Sequence, residues 1–342
     1  MKSVKSIYNL SLVDLENYFV GKQDKKFRGQ QVFDWLYRKK VKSFDEMTNL
    51  KKEVIEKLKQ DFSYQTIHIT KVERDIDVSK YLFELEDGEK VEAVLMNHDY
   101  GNSVCISTQV GCNMGCKFCE SGRLKKVRNL NTNEMVEQIL LVEEDCKTRI
   151  SHVVVMGIGE PFDNYDNLIK FIEIINHPKG IALGSRHITV STCGIVPKIK
   201  EFSKLPYQVN LAISLHAPNN EIRNQIMPIN KVYNLDILME TLKEYIEITS
   251  RRVTFEYILL KDINDREQDA IELSKLVSGM NCYINLIPYN ETNNISFKRS
   301  NKDTISKFYD ILKKNKINAT IRREFGSKIS AACGQLRSKK ED

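Results

Sequence analysis

Apolar residues along the chain change their period twice. Through the first sixty-odd positions they recur at helical spacing: Phe27, Val32, Phe33, Trp35 and Leu36 lie among basic residues, and Leu50, Val54, Ile55 and Leu58 repeat three and four apart. Residues 1–65 are therefore predicted to form a small helical domain. Over 66–100 the period falls to two. Ile67 to Val72 and Tyr81 to Leu85 read as strands, and the turn Glu86-Asp87-Gly88-Glu89 leads into Lys90 to Met96, which predicts a hairpin within a β-rich connector. From residue 101 onward strand patterns at 103–109, 152–157, 187–191, 209–214, 253–259, 282–287 and 317–322 alternate with helical patterns at 132–145, 164–176, 235–249, 266–278 and 302–315. Thr132-Asn133-Glu134 and Asn301 to Thr304 supply helix starts. Strand-then-helix repetition of this kind predicts an α/β fold with a parallel sheet and outer helices, either an open doubly wound sheet or a full or partial barrel.

Composition narrows the class. Of 342 residues, 41% are hydrophobic and 29% charged, which suits a globular chain with a sizeable core. Only 15 glycines and 7 prolines leave little room for long flexible linkers. No apolar run approaches the ~18 residues that cross a bilayer. The amino-terminal stretch carries acids and lacks the apolar centre of a signal peptide, so a cytoplasmic protein with no membrane partner is expected. The net charge of +6 is uneven, since residues 1–65 hold 14 Lys and Arg against 9 Asp and Glu. That basic front end suits a polyanion, although a solvated helix surface has the same composition.

Cysteine placement matters more than the total of 8, which without a signal peptide does not read as a disulfide framework. Cys105, Cys112, Cys116 and Cys119 are clustered, whereas Cys146, Cys193, Cys282 and Cys333 are scattered singly. Cys112-Asn-Met-Gly-Cys116-Lys-Phe-Cys119 forms a C-x3-C-x2-C loop directly after the strand 103–109. Three thiolates from one loop can hold three irons of a 4Fe–4S cluster. The fourth iron is then open to chelate the amine and carboxylate of a small molecule and pass it an electron. Gly111 and Gly115 suit a loop that wraps tightly. A zinc site is the alternative, but it prefers paired C-x2-C spacing, and no histidine follows nearby. The loop also lies at the carboxyl end of the first strand of the β/α series, where active sites collect.

This cysteine spacing resembles that of the radical S-adenosylmethionine enzymes. Further segments narrow the resemblance: Gly157-Ile-Gly159-Glu160-Pro161, Arg186-His-Ile-Thr-Val-Ser191-Thr, Leu211-Ala-Ile-Ser214-Leu215-His216-Ala-Pro, Met227-Pro-Ile-Asn230, Asn285-Leu-Ile-Pro-Tyr-Asn290 and Ala331-Ala-Cys333-Gly-Gln-Leu. As a set they resemble the RlmN and Cfr family of adenosine methyltransferases over nearly all of 80–337, and the basic front end is similar to the accessory domain of its RlmN branch. The resemblance implies a partial (β/α)6-type barrel over 101–325. It also implies a helical RNA-binding accessory domain at 1–65, a β-rich connector at 66–100, and a carboxyl-terminal segment, 326–342, that carries a methyl-bearing cysteine.

The activity it implies is methylation of carbon 2 of adenosine, in the peptidyl-transferase region of 23S ribosomal RNA and beside the anticodon of transfer RNA. In the family's route one S-adenosylmethionine methylates Cys333. A second, cleaved by an electron from the cluster on Cys112, Cys116 and Cys119, yields a 5′-deoxyadenosyl radical that takes hydrogen from that methyl, and the carbon radical adds to adenine. Cys105 then attacks the sulfur of Cys333, leaving a transient disulfide for an external reductant, while Glu92 matches the family's candidate base. Two cofactor molecules per turnover and an external electron donor follow. The cofactor would meet Gly159, Glu160, Ser191, Ser214, Leu215, His216 and Asn290, with the Glu160 carboxylate taking its ammonium.

Plainer readings stand beside these roles. Cys105 in a strand is equally a small buried hydrophobe, Glu92 a strand's polar face, and Ser191, Ser214, His216 and Asn290 ordinary strand-end residues. Cys146, Cys193 and Cys282 read as structural. Arg322-Arg323, Lys313-Lys314-Lys316, Lys125-Lys126-Arg128 and Arg38-Lys39-Lys40 are candidate phosphate contacts or solvated surface. Two departures from the family pattern bear on the pocket: Glu120 after the last loop cysteine, where a small residue is usual, and Cys193 in place of Ser or Thr. Gly159-Glu160-Pro161 and the helical front end favour the carbon-2 branch over Cfr, which acts on carbon 8. A radical enzyme that activates or modifies a polypeptide would share the cluster without needing Cys105 or Cys333. An iron–sulfur RNA-binding protein without catalysis would leave the cofactor uncleaved.

Overall fold

A computed structural model describes residues 5–292, 295–322 and 334–336. The front end holds α1 (Leu12–Gly21), α2 (Phe27–Tyr37) and α3 (Lys52–Asp61). Ser11 starts α1 with a capping box: its hydroxyl accepts from the Asp14 amide, and Asp14 accepts from the Ser11 amide. In α2, Val32, Phe33, Leu36 and Tyr37 face inward as a stripe at helical spacing. Of the two predicted with them, Phe27 is exposed, while Trp35 packs partly buried against the core and its ring carries the Lys39 ammonium 3.3 Å from its centre.

The strands are β1 (Ile67–Asp75), β2 (Val78–Leu85), β3 (Lys90–His98), β4 (Gly101–Cys105), β5 (Gln109–Val110), β6 (Arg128–Asn129), β7 (Ile150–Val155), β8 (Ile188–Thr192), β9 (Asn210–Ser214), β10 (Val253–Leu259), β11 (Cys282–Pro288) and β12 (Ala319–Ile321). Helices α4 (Thr132–Cys146), α5 (Tyr165–Asn176), α6 (Val196–Phe202), α7 (Asn220–Ile226), α8 (Leu235–Thr249), α9 (Glu267–Leu276) and α10 (Lys302–Lys314) lie between them. Ten strands form one sheet in the order β1-β2-β3-β4-β7-β8-β9-β10-β11-β12. Pairing is antiparallel from β1 to β4 and parallel from β4 to β12. The strands of the β-rich stretch thus extend the barrel sheet itself. Among the described residues the sheet does not close, so the architecture is a partial barrel.

Period-two alternation decides what the barrel encloses. Val153, Val155, Ile188, Val190, Leu211, Ile213, Val253, Phe255, Ile284 and Leu286 join one apolar core with the helices. Their alternates, among them Thr189, Ser191, Asn210, Ser214, Thr254, Glu256 and Asn285, line cavities on the inner face. A sheet with a greasy outside and a polar inside is built to hold something within the barrel. Strand β4 stops at Cys105 although the pattern predicts a strand to 109, because the Gln138 side chain takes over both backbone groups of Ser107 at 2.9 and 3.1 Å.

One buried carboxylate joins the front end to the barrel. Glu137 of α4 accepts from the Thr66 amide and hydroxyl (both 2.8 Å), the Ile67 amide (3.2 Å), the Asn133 amide group (3.1 Å) and the Ser6 hydroxyl (3.4 Å). Burial outweighs these bonds and pushes its carboxyl up to about 7. A folded-state value above the unfolded one favours the protonated acid, so this contribution is fully present below the usual carboxylate range and is lost as pH rises toward 7. Between pH 5 and 8, wild type is expected to lose stability relative to Glu137→Gln by on the order of 3 kcal/mol, read from urea midpoints. Parallel curves for the two proteins would refute this.

Candidate active site at the carboxyl ends of the strands

The cysteine loop grows from the β5–β6 ribbon. Gly111 has φ +74, and a Cβ there would lie 2.2 Å from the Lys125 carbonyl oxygen, so only glycine lets the loop fold back on itself. Cys112, Cys116 and Cys119 then line one cavity of about 160 Å³ together with Met114 and Phe118. Burial pushes the Cys112 thiol up to about 12, and likewise raises the Cys116 thiol well above its ordinary value. Thiols held this way are poor anions until a metal centre ligates them, which reverses the preference. Among the described residues no three His, Cys, Asp or Glu side chains gather tightly enough to hold a single ion. Three thiols around one cavity fit a polynuclear cluster, in which each binds a different iron, better than a zinc ion.

The opposite wall is made by the ends of β7, β8 and β9. Gly159 has φ +107 and its missing Cβ leaves room for the Gln109 side chain, which would otherwise sit at 2.6 Å. Gln109 in turn accepts from the Glu160 amide at 2.9 Å. The buried Glu160 carboxylate accepts from the amides of Phe162 (3.0 Å) and Cys193 (2.8 Å), one on each oxygen. Burial raises its affinity for a proton, so a cationic partner such as an ammonium is favoured there. The hydroxyls of Ser191 and Ser214 lie 3.4 Å apart on the same wall.

His216 completes it in a left-handed conformation, φ +58. Its Nδ1 accepts from the Ile258 amide at 3.0 Å, and burial, helped by Arg223, pulls its pKa down to about 3. The ring is therefore neutral with its proton on Nε2. Its edge meets Phe118 of the cysteine loop, with centroids 4.8 Å apart. These groups fit S-adenosylmethionine: a buried carboxylate for the ammonium, hydroxyls for the ribose and apolar surface for the base. Leu215 turns the other way, its side chain fully buried in the main core, so only its backbone adjoins the wall. Asn290 is buried after β11, outside the set that lines this cavity.

A second group lies on the adjacent edge. Cys105 pairs across from Val94, two residues beyond Glu92, and shares an apolar cluster with Met96, Ile158 and Leu336. Glu92 is buried, its carboxylate 3.4 Å from the Lys80 ammonium, and its carbonyl accepts from the Ser107 hydroxyl at 2.6 Å. Cys333 lies outside the described residues. Its described successors are tied to the cysteine loop: the Gly334 carbonyl accepts from the Glu120 amide at 2.9 Å, and the Leu336 carbonyl from the Ser121 hydroxyl at 2.8 Å.

Some site residues escape sequence reasoning. Cys193, read as structural apart from its departure from Ser or Thr near the pocket, lines the cavity, and its amide donates to Glu160. Glu256 is a buried carboxylate inside the barrel, bonded by Asn285 at 2.9 Å and 3.8 Å from the Arg322 guanidinium. With Met156 and Arg322 it borders both the small cavity and a larger one of about 1160 Å³, which reaches Arg186, Arg251 and Arg252 toward the strands' amino ends. Its signal was there: an acid flanked by apolar residues in Thr254-Phe255-Glu256-Tyr257. Several basic candidates prove committed to acids instead. Arg128 forks onto Glu134 at 2.8 Å through both nitrogens, Lys126 meets Asp163 at 2.6 Å, Lys40 meets Glu143 at 2.6 Å and Arg38 meets Asp34 at 2.8 Å.

Known proteins agree with this geometry. Residues 106–274 match the model of the Radical SAM superfamily, so the barrel and its thiol loop are those of a radical S-adenosylmethionine protein, a class that implies a 4Fe–4S cluster and S-adenosylmethionine. Residues 5–63 match the ribosomal RNA large subunit methyltransferase N-terminal domain. Probable dual-specificity RNA methyltransferases RlmN from Spiroplasma citri and from Malacoplasma penetrans (strain HF-2) are 54% and 53% identical to it, each over 98% of this chain and over 98% and 97% of their own. The chain belongs to the RlmN family. The crystal structure of a radical SAM methyltransferase from Sphaerobacter thermophilus superposes with a TM-score of 0.94 at 38% identity, covering 98% of this chain and all of that one. Among the described residues no helix is long and apolar enough to cross a membrane.

Proposed function

We propose that this protein methylates carbon 2 of adenosine in 23S ribosomal RNA and in transfer RNA beside the anticodon, with Cys333 as the methyl carrier, in the reducing cytoplasm. The observation that carries the reading is the docking of Gly334 and Leu336 between the cysteine loop and the Cys105 cluster. It puts the neighbour of Cys333 beside both partners that the reaction needs. Cys112, Cys116 and Cys119 would hold the cluster, which would supply one electron to an S-adenosylmethionine whose ammonium Glu160 would take. Two such cofactor molecules serve each turnover.

The chain's own residues do the rest. His216, neutral and fixed by the Ile258 amide, presents Nε2–H without adding charge, and Ser191 and Ser214 offer hydroxyls on the same wall. The larger, arginine-rimmed cavity adjoins the smaller one, and the need to bring an unstacked base to the site suits a loop or flexible RNA segment. Glu92 takes the proton displaced from carbon 2, and the unpaired electron of the adduct would return to the oxidised cluster, so that the electron is used catalytically. The Cys105 thiolate attacks the sulfur of Cys333, and the sulfur–carbon bond breaks with its electron pair on carbon. That carbon gains a proton and stays on the adenine as the methyl group. Two electrons and two protons from an external dithiol reopen the disulfide.

Glu160→Gln is expected to weaken S-adenosylmethionine binding about ten- to hundredfold, the worth of one charge-assisted hydrogen bond. Equilibrium binding to the cluster-loaded protein measures it, and unchanged affinity would remove Glu160 from the ammonium site. The function itself is tested by incubating anaerobic, reconstituted protein with methyl-labelled cofactor and either a ribosomal RNA fragment or an anticodon stem-loop, then digesting to nucleosides. Label in 2-methyladenosine supports the proposal. Label at carbon 8, or cofactor cleavage with unlabelled RNA, contradicts it.

A further inference from the structure

Arg223 of α7 has no exposed surface, yet every group it bonds is neutral. Its Nε donates to the Leu215 carbonyl (3.2 Å). Nη1 donates to Asn230 Oδ1 (3.0 Å) and the Tyr233 carbonyl (3.4 Å), and Nη2 to the carbonyls of Cys193 (2.7 Å) and Ser214 (3.4 Å). Among the described residues no carboxylate forms an ion pair with it, although such pairing is the ordinary condition for burying a cation. Burial lowers its pKa only to about 10, opposed by the nearby sulfurs of Cys193 and Cys116, so the guanidinium stays charged at neutral pH. The helix that carries it abuts the cysteine loop. The Lys117 amide donates to the Ile226 carbonyl at 2.9 Å, and Ile222, Ile226 and Met227 pack with Met114, Cys116, Phe118 and Cys119.

We propose that Arg223 is a positioning residue that ties the ends of β8 and β9 under the cysteine loop, and that its uncompensated charge raises the reduction potential of the cluster held there. The inference rests on the cluster assignment above. A centre ligated by three thiolates becomes more negative by one charge when reduced, and a cation in a poorly screened interior favours that form. Ser214 and Cys193, whose carbonyls Arg223 grips, belong to the wall that meets the cofactor, so one side chain would set both pocket shape and electron affinity.

Potentiometric titration of the reconstituted cluster, followed by electron paramagnetic resonance without cofactor, separates charge from clamping. Arg223→Gln is expected to lower the midpoint by at least 59 mV, a tenfold change in the ratio of oxidised to reduced centre for one electron. Arg223→Lys, which keeps the charge, is expected to stay close to wild type. Asn230→Asp keeps the arginine and gives it an anion, so its midpoint is expected to fall as well; this variant decides the matter if Arg223→Gln fails to load iron. Wild-type potential in a loaded Gln variant, or in Asn230→Asp, would overturn the charge role and leave a clamp. Iron and sulfide content distinguishes that failure from the deeper one, in which wild type itself holds no cluster and both readings fall.

Discussion

Cys116→Ala is expected to leave a folded protein that holds no intact cluster, cleaves no S-adenosylmethionine and methylates RNA at least about a thousandfold more slowly, a barrier increase of about 4 kcal/mol. The reason is geometric. Cys116 lies between its two partners in the loop, inside the apolar cluster formed by Phe118, Ile222, Ile226 and Met227. A Cβ on Gly122 would meet its carbonyl oxygen at 2.6 Å, so backbone, not the thiol, fixes the turn. Removing one sulfur therefore removes a ligand while leaving the loop's path intact. Iron and sulfide analysis, the visible absorption of the reconstituted protein, and the yield of 5′-deoxyadenosine measure the loss, and a melting curve checks the fold. An alanine variant that still cleaves the cofactor would show that the three-thiol assignment is wrong.

Cys105→Ala is expected to stop the reaction at a later point and in a visible way. Cys105 is 7% exposed at the end of β4 and packs with Val94, Met96, Ile158 and Leu336. Losing its sulfur costs the fold only on the order of 1 kcal/mol, the scale of a small core deletion. Without its attack the bond between Cys333 and the methylated base has no internal nucleophile to break it. The variant should cleave cofactor in a first turnover and then accumulate a covalent protein–RNA species that survives denaturing electrophoresis and disappears with ribonuclease. Cys105→Ala/Cys333→Ala should form none. Multiple turnovers by Cys105→Ala, with no trapped species, would make Cys105 the buried hydrophobe that its strand pattern equally allows.

Legibility in the sequence follows physical rules. Long periodic segments such as Leu235–Thr249 and Val253–Leu259 are evident because burial imposes their period. Helices α6 and α7 escaped, each being seven residues long, too short to show more than two turns of periodicity. The loop cysteines, Glu160, Ser191, Ser214 and His216 were readable from local spacing and resemblance, and they meet at one cavity. Leu215 was readable only as a neighbour, since its side chain belongs to the core. Arg223 could not be read at all: an arginine in Asn-Glu-Ile-Arg-Asn-Gln looks like solvated surface, and only tertiary structure brings three separate segments around its guanidinium. The ion pairs of the basic clusters were hidden in the opposite sense, because Arg128, Lys126 and Lys40 meet Asp87, Asp163 and Glu143, acids far away along the chain.

The most direct test of the account follows the methyl group through the protein. Anaerobic, cluster-loaded enzyme would be incubated with methyl-labelled S-adenosylmethionine but no RNA, digested, and its peptides weighed; a second portion would be chased with unlabelled cofactor and an RNA substrate. One labelled methyl group is expected on the Cys333 peptide, passing in the chase to carbon 2 of adenosine, and none of either in Cys333→Ala. Labelled RNA from a protein whose Cys333 never carries label, or undiminished methylation by Cys333→Ala, would contradict it.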